Sequence, residues 1–105
     1  MAVTLTGRTG VDRITLSATQ PQATQVNLPE SCRSISINFV SNAGRFAYSG
    51  SDGVALSDDY ISIPSDTPTP VAIAGRARVL GGQTIYLASG TNSTVVEIEW
   101  SDVVL

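Results

Sequence analysis

Between Ser34 and Val40, Ile35, Ile37 and Phe39 fall on one beat, and Ser34, Ser36 and Asn38 fall on the other. Side chains along a strand point alternately to its two faces, so this spacing makes one face apolar and the other polar. A slip of one residue would exchange the faces, which gives such a strand a defined register. The same beat recurs along the chain. Val3 and Leu5, Ile14 and Leu16, Val26 and Leu28, Phe46 and Tyr48, Ile61 and Ile63, Ile85 and Leu87, and Val96, Ile98 and Trp100 each take the core positions of a short run. Val71 to Ala74 and Ala77 to Leu80 complete the set of expected strands.

Turn chemistry separates these runs. Asn42-Ala43-Gly44, Ser49 to Gly53, Gly81-Gly82 and Ser89 to Asn92 are rich in residues that tolerate positive φ. Pro64, Pro68 and Pro70 exclude their segment from the middle of a sheet. No helical periodicity is sustained, and only Gly53 to Asp59 has room for a helical turn. Eight to ten short strands at regular spacing predict an all-β fold. We expect a single antiparallel β-sandwich over residues 1–105, jelly-roll-like, with an immunoglobulin-like sandwich as the alternative. One cysteine cannot supply the immunoglobulin pair.

Composition narrows the chemistry. With no histidine and no lysine, none of the thirteen serines has a nitrogen base to activate it, so the chain reads as non-enzymatic. Asp58-Asp59 and Glu97/Glu99 are the only carboxylate clusters, and a glycosidase would need two of them buried and facing one another. Glu97 and Glu99 lie on the polar face of their strand and are expected to be solvated. Asp52, Asp58 and Asp59 share one loop that could offer calcium its oxygens, but their spacing is not the EF-hand pattern, and aspartates that cap turns are the commoner explanation. No metal and no cofactor is therefore expected. A net charge of −3 without a basic run argues against nucleic acid. No apolar run approaches the roughly 20 residues of a membrane helix, and the first ten residues, MAVTLTGRTG, do not resemble an export leader. Asn92-Ser93-Thr94 matches a glycosylation sequon, read here as chance. Cys32 is expected to be a buried, inert thiol. The apolar end Ser101 to Leu105 could pair as an edge strand with a neighbour.

Contact residues are the remaining candidates. Arg76 and Arg78 alternate and so share a face; cross-strand pairing with Glu97 and Glu99 is the plainer expectation, and a contact row for an acidic partner the sharper one. Tyr60 and Tyr86 fall on the polar beat, where an exposed ring could anchor an interface or stack on a sugar. Trp100 is in phase with Val96 and Ile98 and is expected in the core.

The stretch R-F-A-Y-S-G-S-D-G-V-A-L-S-D-D-Y-I-S-I-P from Arg45, then T-P-T-P-V-A-I-A-G, then Q-T-I-Y-L-A-S-G-T-N-S-T-V-V to Val96, resembles a pattern in small structural proteins of tailed bacteriophages. Those proteins show a similar Y-x-G-x-D-G turn, a Y-I-x-I-P strand and an I-Y-L-A-S strand. The similarity covers about half the chain and contains nothing catalytic. It implies a virion component made in the host cytoplasm: a capsid decoration or cement protein, or a head-fibre, tail or neck accessory. Such decoration proteins are β domains that sit as trimers on the capsid surface and bind the major capsid protein. A carbohydrate- or receptor-binding module on the same kind of fold is the competing expectation.

Overall fold

The computed structural model describes residues 3–5, 10–16, 22–29, 32–57, 59–72 and 84–101. Nine strands run in the order β1 (Val3–Thr4), β2 (Val11–Thr15), β3 (Thr24–Asn27), β4 (Ser34–Val40), β5 (Gly44–Ala47), β6 (Ile61–Ile63), β7 (Thr69–Ala72), β8 (Thr84–Ser89) and β9 (Val95–Ser101). No helix occurs among the described residues. The strands form two sheets, β1-β3-β8-β5-β6 and β2-β9-β4-β7, packed as a sandwich. The predicted strand over Ala77–Leu80, the Gly81-Gly82 turn and residues 102–105 lie outside the described residues.

The alternation of β4 sets the core. Ile35, Ile37 and Phe39 are buried on its inner face, opposite Trp100, Ile98 and Val96 of β9 in register. Val26, Phe46, Ile63, Ile85 and Leu87 meet them from the other sheet. Phe39 governs the start of β5. A Cβ built on Gly44 would fall 2.0 Å from its ring, so only glycine lets the two sheets close there. Tyr48 ties the layers at the far end of β5: its ring packs edge-on against Phe46 at 4.8 Å, and its hydroxyl donates to the Ala72 carbonyl of β7 at 3.0 Å.

The all-β sandwich is as expected, and every described strand pair is antiparallel except β1 with β3, Val3 against Val26. Two expectations for single residues are corrected. Ile61 is not core. It is 55% exposed at the start of the edge strand β6, whereas Ile63, on the same beat of that strand, is buried. Trp100 is partly buried, packed against the core at its margin, with Nε1 enclosed and lacking a hydrogen-bond partner. Pro70 does enter a strand, but β7 closes the edge of its sheet, where a missing N–H costs no ladder bond. On the opposite edge, Asp12 of β2 turns inward, in register with Ile98 and with Oδ2 buried. An inward charge on an edge strand discourages further strand pairing there.

Candidate interaction surface

The outer faces of the two sheets differ in kind. On the four-stranded sheet, Arg13, Glu97 and Asn38 form one row across β2, β9 and β4. Arg13 Nη1 lies 2.7 Å from Glu97 Oε2, and the Asn38 side-chain amide donates to Glu97 Oε1 at 2.9 Å. Glu97 thus has Arg13 as a cation, supplied by the strand that β9 pairs with. Arg76, Arg78 and Asp58 lie outside the described residues. Glu99, one beat further along β9, is exposed beside Ser36 and Pro70 in a shallow groove.

The outer face of the five-stranded sheet is partly roofed. Residues 48–57 leave β5 and fold back over it, fixed to the chain ahead of β3 by backbone contacts. Ala23 donates its N–H to Val54 at 3.0 Å, Gly53 donates to Ala23 at 2.8 Å, and Gln22 bridges Ala55. Asp52 Oδ1 completes the attachment by accepting from the Gln25 amide at 2.9 Å. That charge-assisted bond holds the Asp52 carboxyl below its ordinary value. The loop aspartate therefore serves a local hydrogen bond, and the described residues bring no three metal-ligating side chains together.

This roof changes the standing of Tyr86. It was expected on an open polar beat. Instead it is half-buried, with Gly50 lying against its ring and Leu56 alongside. Ala47 and Ala88, both on the outer beat, are 3% and 1% exposed. Two alanines where polar residues would otherwise stand are the sequence signal that this face is covered.

Tyr60 is also half-buried. The Arg45 guanidinium lies over the ring, 4.7 Å from its centre. Register places Arg45 of β5 between Ser62 of β6 and Ala88 of β8, so Arg45 and Ser62 stand side by side on the outer face. Arg45 is exposed, and no carboxylate among the described residues lies within ion-pair distance of it. Beside it runs a groove lined by Ala43, Gly44, Ser62, Ile63, Pro64 and Gly90. The structure thus joins Tyr60 to Arg45, while Tyr86 stands opposite Ala47 on the same outer face. Only proximity in the folded sheet reveals the Arg45–Tyr60 pair, because the two residues flank the roof in the chain.

Cys32 is fully buried, its thiol donating to the Ser34 carbonyl at 3.5 Å. Burial pushes its pKa up, which disfavours the reactive thiolate. No family model, curated protein or solved structure matches this chain.

Proposed function

We propose that the chain is a non-enzymatic structural subunit of a bacteriophage virion, a decoration or cement protein that binds between major capsid subunits. The observation that carries this reading is the strand order. From β2 onward, β2-β9-β4-β7 faces β3-β8-β5-β6. That order supports a jelly roll of two Greek keys, an architecture recurrent in viral capsid domains, over an immunoglobulin-like sandwich. In the immunoglobulin arrangement the first two strands and the last two each pair within a sheet. Here β5 and β6 are the only strands consecutive in the chain that pair directly among those described. Fold alone does not fix function, and the resemblance over Arg45 to Val96 supplies the second support.

In this reading the mechanism is association. Each subunit buries part of its surface against neighbouring capsid proteins, and repetition over a lattice converts weak single contacts into strong attachment. The roofed sheet and the Tyr48 tie give it a rigid body to present.

Light scattering of the purified chain, with and without chelator, tests the oligomer, and an antibody against the chain tests its place in purified virions. A trimer indifferent to chelator and antibody labelling of capsid surfaces support the proposal. A strict monomer that labels no virion and is retained on immobilised glycans moves the reading to a receptor-binding module.

A further inference from the structure

We propose that the groove beside Arg45 receives an extended acidic segment of a partner protein, one carboxylate of which is held by the Arg45 guanidinium. This deepens the structural-subunit reading by naming the chemistry of one contact, and it rests on that reading only for where the partner comes from.

Three observations converge. Arg13 is neutralised by Glu97 at 2.7 Å, whereas Arg45 has no described carboxylate within reach. A guanidinium presents a planar fork of donors suited to a carboxylate. Stacking on Tyr60 restrains the Arg45 side chain, so less of its freedom is lost when a ligand docks. Finally, part of the floor beside it is made of small residues. Ala43 contributes a methyl and Gly90 no side chain, and a Cβ on Gly90 would meet no atom within 4 Å, with Ser62, Ile63 and Pro64 lining the rest. A peptide backbone can approach such a floor closely, and the Ser62 hydroxyl stands in register with Arg45 to donate a further hydrogen bond.

The same geometry disfavours a sugar. Aromatic recognition of a sugar ring needs an open aromatic face, and one face of Tyr60 is occupied by Arg45. Tyr60 acts here as the support of the binding group. An extended chain presents alternate side chains to one face about 6.8 Å apart, so a segment with acids at every second position can offer one to Arg45 in either direction.

The probes are two blocked peptides of nine residues, one alternating threonine with glutamate and the other threonine with glutamine. They are titrated into the isotope-labelled full chain and followed by amide and arginine side-chain resonances. The glutamate peptide should shift Arg45, Ser62 and Gly90, with at least tenfold tighter binding than the glutamine peptide. Arg45→Gln should remove that difference, Arg45→Lys should retain part of it, and Arg13→Gln, on the opposite face, should leave it intact. Urea unfolding of each variant checks that the fold persists. Equal binding of the two peptides, shifts mapping to other strands, or unchanged discrimination in Arg45→Gln would overturn the proposal. So would binding of an oligogalacturonate at these residues without peptide binding, or self-association of the chain that Arg45→Gln abolishes. The capsid reading can fail while the peptide titration succeeds, and the converse, so the two are judged separately.

Discussion

Replacing Gly44 with alanine should strain the sandwich at its most constrained point. The added methyl would sit 2.0 to 2.3 Å from three carbons of the Phe39 ring. Carbon atoms rest at about 3.5–4.0 Å, so the ring or the strand must move by roughly 1.5 Å. Phe39 is wholly buried between the sheets and paired in register with Val96, which leaves its ring little room. Overpacking of this kind costs about 1–3 kcal/mol, and the depth of the clash places Gly44→Ala at the upper end. Since φ at Gly44 is not positive, backbone strain adds nothing, and the whole effect is a contact with one side chain. Urea unfolding followed by Trp100 fluorescence reads it. With a slope of about 1–3 kcal/mol/M, a loss of about 3 kcal/mol moves the midpoint by at least roughly 1 M. Phe39→Leu, which removes the offending ring atoms, should be partly rescued in the double variant, with a coupling of about 1–3 kcal/mol. An unshifted midpoint for Gly44→Ala, or strictly additive losses in the cycle, would refute the packing argument.

Four further outcomes are expected. Tyr48→Phe removes the hydrogen bond between layers and should cost about 0.5–1.5 kcal/mol, nearer the lower figure because the site is exposed; calorimetry would show a drop of a few degrees, and none at all would mean the tie is idle. Thr94→Val takes out a buried hydroxyl that donates to Thr91 at 2.8 Å and lies 3.0 Å from Ser89 Oγ, so about 1–3 kcal/mol should be lost in denaturant titration. Because its folded pKa lies below the ordinary 3.8, Asp52 contributes fully above that pH, and its contribution fades as pH falls through the lower folded value. Melts across pH should therefore show the deficit of Asp52→Asn shrinking in strong acid, and a deficit constant throughout would contradict the Gln25 bond. Cys32 should react with an aromatic disulfide reagent on the order of a hundredfold more slowly in the native chain than in denaturant, since the thiolate must await an opening; equal rates would place the thiol at the surface.

How much of this was legible in advance depends on the distance over which each feature is decided. Ile35, Ile37 and Phe39, or Val96 and Ile98, declare their strand and their buried face within a few residues, because alternation is a local property of extended chain. Ile61 obeys the same alternation and is exposed, while Ile63 two residues on is buried, since burial depends on what the rest of the fold packs over each position. Arg76 and Arg78 share a face by their spacing of two alone, whereas nothing in the sequence around Arg45 marks it as the partner of Tyr60.

The sequence by itself determined an all-β chain, the strand faces that carry the core and the turns that punctuate them. It also determined that no histidine or lysine is present. The tertiary structure alone decided that Arg13 meets Glu97, that Phe39 requires glycine at position 44, that residues 48–57 roof Tyr86, and that Arg45 rests on Tyr60. The division has one physical cause. Backbone geometry repeats every two residues and can be read from a short window, while contacts across sheets join segments whose separation in the chain carries no periodic signal.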